Sequence, residues 1–170
     1  MIAGIFHFSF TVADLDRSVR WYTDVFELEL VHRQVQDNPY TRTLVGYPDA
    51  LLEIAQLKLP GVDAGYSTHV LELVQYRRPR GERIELQTVN VGVAHLALLV
   101  DDAHERYARL RDRGAEFVSP PVAITQGANA GGYTCYCRDP DGITLELFQP
   151  SEERRRAVGL TSPAGRGSGG

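Results

Sequence analysis

The feature that most limits what this chain can fold into is that it repeats itself. GIFHFSFTVADLDRSVRWYTDVFELELV near the start finds its counterpart in GVAHLALLVDDAHERYARLRDRGAEFV, at an offset of 88. That offset places His7 on His95, Val12 on Val100 and Asp14 on Asp102. Each copy opens on an apolar segment rich in Phe, Leu and Val, the composition of a strand. Each then sets an aspartate, Asp14 or Asp102, where a helix N-cap belongs. Leu15, Val19, Tyr22 and Phe26 follow at i, i+4, i+7 and i+11, and Ala103, Tyr107, Leu110 and Gly114 repeat the spacing. This is the buried stripe of an amphipathic helix, with Gly114 suited to end the second one. A further strand is expected around Leu28 to Val35 in the first copy and around Ala115 to Ser119 in the second.

The copies also end alike. The first closes on VLELVQY and the second on TLELFQP, so Leu-Glu-Leu-x-Gln occurs twice, with Glu72 over Glu146 at an offset of 74. The first copy therefore holds 14 more residues between its histidine and its glutamate, and LPGVDAGYS is the stretch best suited to absorb them. The expected class is α+β: two pseudo-symmetric βαβββ modules forming a curved mixed sheet around a metal-binding cleft. In residues, this is a single domain over 1–150, with module one at 3–76, a charged linker at 77–91 and module two at 92–150. Residues 151–170 read as a basic helical turn running into a largely disordered tail.

A histidine inside an apolar strand, or a glutamate inside LELVQ, needs a partner, because burying a polar group unpaired costs several kcal/mol. Strand alternation puts His7 on one face with Ile5, Ser9 and Thr11. Phe6, Phe8 and Phe10 go to the other, where they are expected to pack on the helices. If the modules pair about a local two-fold, His7, Glu72, His95 and Glu146 converge. Two imidazoles and two carboxylates suit one divalent metal ion: Zn, Ni, Co, Mn or Fe(II). Taken singly, each is an ordinary hydrogen-bonded strand residue; their recurrence in register is what points to a metal.

Composition fits this and narrows the alternatives. With 43% hydrophobic and 24% charged residues the chain has the make-up of a globular domain. A net charge of -4 gives no electrostatic reason to expect nucleic acid. No apolar run approaches the roughly 18 residues of a membrane span. The N-terminus lacks a signal-peptide pattern, so a cytoplasmic location is expected. Cys135 and Cys137 stand two apart on a strand, about 6.5 Å from each other, which suits reduced thiols better than a disulfide.

HFSFTVADLDRSVRWYTDVFEL, AHLALLVDD and YCRDPDGITLELFQP together resemble the vicinal oxygen chelate superfamily, over about residues 3 to 150. Glyoxalase I, methylmalonyl-CoA epimerase, the extradiol dioxygenases and the fosfomycin- and bleomycin-resistance proteins belong to it. The resemblance implies a metal that holds two adjacent oxygens of a small-molecule substrate, and a homodimer. The ligand order His, Glu, His, Glu is most similar to glyoxalase I; methylmalonyl-CoA epimerase has Gln at the second position. This implies an isomerase or lyase that stabilises an enediolate or enolate, with Glu72 or Glu146 taking the proton. Glu53 is a weaker candidate base.

The resemblance carries two alternatives. In an Fe(II) ring-cleavage dioxygenase, His7, His95 and Glu146 would form the metal triad. Tyr136, ten residues before Glu146, would be the catalytic tyrosine, but QGANAGGYT has no histidine where those enzymes have one. In a non-catalytic drug-binding protein, the metal ligands are generally lost. Arg42, Arg77 and Arg78 are the arginines available to a substrate carboxylate, and GANAGG suits a mobile flap over the site.

Overall fold

A computed structural model describes residues 1–2, 4–62 and 69–157, and the chain divides into two compact units, Met1–Glu85 and Leu86–Gly170. The first unit runs β1 (His7–Thr11), α1 (Leu15–Asp24), β2 (Glu29–Gln36), α2 (Pro39–Val45), β3 (Leu51–Lys58) and β4 (Val70–Arg78). Its four strands lie in the order β1-β4-β3-β2, with β1 parallel to β4 and the other pairs antiparallel. The second unit runs β5 (His95–Leu99), α3 (Ala103–Asp112), β6 (Glu116–Phe117), β7 (Val122–Ala123), β8 (Tyr133–Arg138), β9 (Thr144–Gln149) and α4 (Glu152–Ala157). Its sheet has the order β5-β9-β8-β6, and β7 pairs with β8 beside that path. The α+β class and the repeated βαβββ plan agree with the sequence. The strands form two mixed sheets, one in each unit.

Both helices start where the aspartates put them. Asp14 accepts from the Arg17 amide at 2.9 Å, and Asp102 accepts from the His104 and Glu105 amides at 2.9 Å each. The hydrogen bond from the Arg17 amide is the main reason the Asp14 carboxyl titrates below its usual 3.8. Gly114 adopts φ +95° just beyond α3, the left-handed conformation that ends a helix cheaply.

The Leu-Glu-Leu-x-Gln motif explains its own recurrence. Leu71 and Leu73, like Leu145 and Leu147, are buried on the face that receives the helix, where Leu15, Val19 and Tyr22 of α1 or Ala103 and Leu110 of α3 are buried. The glutamate between the leucines is turned to the opposite face by strand alternation. The glutamine reaches the start of the helix. Gln75 Oε1 accepts from the Leu15 amide at 2.9 Å and its Nε2 donates to the Ala13 carbonyl at 2.9 Å, while Gln149 Oε1 accepts from the Ala103 amide at 2.8 Å. One of the otherwise orphaned amides of each first turn is thereby satisfied from the sheet.

Four expectations need correction. Phe6 and Phe8 are not covered by a helix: on the edge strand β1 and the residues before it they stay 66% and 48% exposed. The 14 extra residues of the first copy do not all fall in LPGVDAGYS. Gln56 faces Glu72 as Tyr136 faces Glu146, an offset of 80. The offset thus drops from 88 before β3, in the stretch carrying α2, and from 80 to 74 only between β3 and β4. Part of that second stretch, 63–68, lies outside the described residues. Third, β4 continues through Arg78, so the strand takes the first two residues of the expected linker. Last, GANAGG is a closed turn. Gly131 N–H donates to the Ile124 carbonyl and Ile124 N–H to the Gly132 carbonyl, both at 2.9 Å, which makes it the tip of the β7–β8 hairpin. A Cβ on Gly132 would lie 2.3 Å from the Gln149 carbonyl oxygen, so this turn is packed backbone to backbone on the end of β9.

Of the 151–170 segment, Glu152–Ala157 is helical, and 158–170 lie outside the described residues. No helix among the described residues is long and apolar enough to cross a membrane.

Candidate metal centre

In the first unit, parallel pairing sets His7 beside Val70 and Ser9 beside Glu72. His7 and Glu72 are therefore two steps apart on adjacent strands and share a face. His7 Nε2 lies 3.7 Å from Glu72 Oε1. The other carboxylate oxygen, Oε2, accepts from Gln56 Nε2 at 3.0 Å across the β3–β4 pair. His7 Nδ1 is buried and has no hydrogen-bond partner among the described residues.

The second unit repeats the pattern in the same register, His95 beside Thr144 and Ala97 beside Glu146. His95 Nε2 lies 3.1 Å from Glu146 Oε2, and Thr134 Oγ1 donates to Oε1 at 2.5 Å. Tyr136, directly across from Glu146, leans on the imidazole with ring centroids 5.4 Å apart. Burial raises the Tyr136 hydroxyl above its ordinary 10, and the Glu146 charge adds to this, so the phenol is neutral at physiological pH.

The glutamate side chains are only 14% and 12% exposed, whereas the two imidazoles are 33% and 44% exposed. A carboxylate buried to that degree requires a cation or donors. Two atoms bound to one divalent ion at about 2.0–2.2 Å stand roughly 3 to 3.5 Å apart. The His95–Glu146 spacing of 3.1 Å falls within that range, and the His7–Glu72 spacing of 3.7 Å lies slightly beyond it. The donor set therefore fits a divalent ion, with imidazole and carboxylate as its natural ligands. Each unit supplies a pair; no group of three or more His, Cys, Asp or Glu side chains is gathered among the described residues.

The other candidates go elsewhere. Glu53 alternates to the face opposite Glu72 and takes a bidentate hydrogen bond from Arg77, 2.9 Å on each oxygen. Arg42 pairs with Asp37, as does Arg78 at 3.6 Å, so each of these arginines has an acidic partner within the unit. Cys135 and Cys137 are buried free thiols, pushed up to about 11 and about 12 chiefly by that burial. Gln56 and Thr134 went unrecognised in the sequence. Counting antiparallel register back from each glutamate would have found Gln56, directly across from Glu72, and brought Thr134 within one diagonal step of Glu146.

The sequence matches the Glyoxalase/Bleomycin resistance protein/Dioxygenase superfamily over residues 4–147. The chain belongs to this superfamily. It is 33% identical to a 2-epi-5-epi-valiolone epimerase from Actinomyces sp. over 170 residues, covering 95% of this chain and 90% of the relative. A lactoylglutathione lyase from Salmonella typhimurium is 28% identical over 156 residues, covering 89% of this chain and 96% of the relative. Among solved structures, a glyoxalase family protein from Bacillus cereus matches in fold with a TM-score of 0.69 at 23% identity, covering 89% of this chain and 96% of that one. The chain's relatives thus include a named epimerase and named lyases.

Proposed function

We propose that this protein is a divalent-metal-dependent isomerase or lyase that moves a proton on the carbon next to a carbonyl, and that epimerisation is the form the reaction takes. The observation that carries this reading is the repeated pair, His7 with Glu72 and His95 with Glu146, each aiming Nε2 at a carboxylate oxygen from the same register position. In this reading His7 and Glu72, like His95 and Glu146, are donors to a divalent ion. When bound, a divalent ion supplies Lewis-acid polarisation of adjacent substrate oxygens, which lowers the energy of an enolate or enediolate. The likeness to an epimerase over nearly the whole chain favours inversion at a stereocentre over the other reactions of the superfamily.

The chain's own residues have defined parts. A glutamate, Glu72 or Glu146, accepts the α-proton as general base, the electron pair passing into the carbonyl as the C–H bond breaks; a solvent proton delivered to the opposite face, with the glutamate giving its proton up to solvent, completes an epimerisation. Tyr136, neutral and beside His95, is placed to donate a hydrogen bond to a substrate oxygen. The substrate is a small molecule with adjacent oxygens, and the working unit is a homodimer in the cytoplasm.

Metal analysis of the purified protein should find about one transition-metal ion per chain after reconstitution, and His95→Ala or Glu146→Ala should abolish it. Incubation of the loaded protein with 2-epi-5-epi-valiolone in D₂O should place deuterium on the carbon beside the carbonyl. A protein that binds no metal under any reconstitution sinks the reading. Oxygen uptake with catechols in place of deuterium exchange would move it to the dioxygenase alternative.

A further inference from the structure

We infer that Thr134 is a positioning residue of the candidate metal centre, and that it makes Glu146 the more firmly held of the two carboxylates. The inference rests on the metal-dependent reading above and deepens it.

Glu146 has one oxygen for His95 and one for Thr134, so both ends of the carboxylate are fixed. The Thr134 contact, at 2.5 Å, is at the short end for a hydroxyl donating to a carboxylate, the stronger class of hydrogen bond. Threonine suits the task because branching at Cβ on a strand leaves little χ1 freedom, so its hydroxyl is set by the backbone. Thr134 stands on β8, one diagonal step from Glu146 on the same face, and β8 is hydrogen-bonded on both sides, to β9 and to β6 and β7. The hydroxyl is thus carried by rigid backbone rather than by a loop.

Glu72 is held differently. Its partner Gln56 is a long side chain with more rotatable bonds, its amide contact is 3.0 Å, and the facing His7 nitrogen is 3.7 Å away. The hydrogen bond is neutral to anionic in both cases, but the glutamine end loses more rotamer entropy in making it. Removing a group that orients a metal-binding carboxylate typically costs about 10- to 100-fold in metal affinity.

The test uses the full chain and Co²⁺, with affinity read by competition against a chromophoric chelator. Thr134→Val, nearly isosteric but without the hydroxyl, should weaken Co²⁺ binding about 10- to 100-fold, while Thr134→Ser should stay within about threefold of wild type. Gln56→Leu should cost less than Thr134→Val. Thermal melts establish that each variant is folded, and Thr134→Ala substitutes for the valine variant if that one is not. Wild-type affinity in Thr134→Val, or a serine variant as weak as the valine one, overturns the inference. The metal-free chain gives an independent reading: the Thr134 hydroxyl proton should appear by NMR as a slowly exchanging resonance close to the Glu146 side chain. If that resonance is found in a protein that binds no Co²⁺, the metal reading fails and the positioning contact stands; if metal binds and the resonance is absent, the reverse holds.

Discussion

The two units solve the same problem with unequal rigour. Both set a histidine and a glutamate at matching register positions and tie the glutamate's free oxygen to a neutral donor. In the second unit the donor is a hydroxyl on a stiff side chain and the His–Glu contact is 3.1 Å. In the first, the donor is a glutamine, the contact is 3.7 Å, and His7 Nδ1 is buried without a partner among the described residues. Duplication thus fixes which backbone positions carry donors, whereas the residues across the sheet, free to differ between copies, decide how firmly each donor is aimed.

The asymmetry is most directly challenged at the ligands. Glu146→Ala should abolish tight Co²⁺ binding, a loss well beyond about 100-fold, and Glu72→Ala should lose less, since the better-braced pair survives in the second variant. Equal losses in a chelator competition would erase the distinction between the halves. Next in size is Gly132→Ala. Its methyl would meet the Gln149 carbonyl oxygen, and about 1–3 kcal/mol of destabilisation is expected by urea unfolding. An unchanged midpoint would show that the hairpin tip can move away from β9.

A smaller effect separates the two helix ties. Gln75→Ala and Gln149→Ala should each cost about 0.5–1.5 kcal/mol for every hydrogen bond lost. Gln75, which makes two such bonds to the start of α1, should be the costlier replacement by denaturant titration. The smallest effect is a pH dependence. The folded pKa of Asp14 lies below 3.8, so its stabilising contribution is present above that value and is lost as pH falls through the folded one. Replacing Asp14 with asparagine keeps a capping oxygen without the charge. The stability gap between wild type and Asp14→Asn at pH 7 should therefore narrow as the pH is taken below 3.8, as followed by thermal melts.

Much of this was legible from the amino acids. The offset of 88 and the doubled Leu-Glu-Leu-x-Gln located the repeated element plan and both N-caps. These signals are periodic or local, and sequence records such features well. What stayed hidden depends on which strands are neighbours. Gln56 and Thr134 have no motif of their own and acquire meaning only when β3 is set against β4 and β8 against β9. The exposure of Phe6 and Phe8 was missed because alternation gives the face of a strand but not whether anything covers it. The α2 helix did leave a local trace, Asn38 and Pro39 at its start and Gly46 at its end, which the repeat overshadowed.

The glutamine that closes each Leu-Glu-Leu-x-Gln has a consequence for inheritance and for engineering. Five consecutive residues carry the core anchor, the chemical donor and the latch to the neighbouring helix. A half-site is thus a portable cassette. Moving that pentapeptide into another βα scaffold together with the helix start and the neighbouring strand that bears Gln56 or Thr134 should carry over the orientation of the glutamate, because the side chain that aims it travels too.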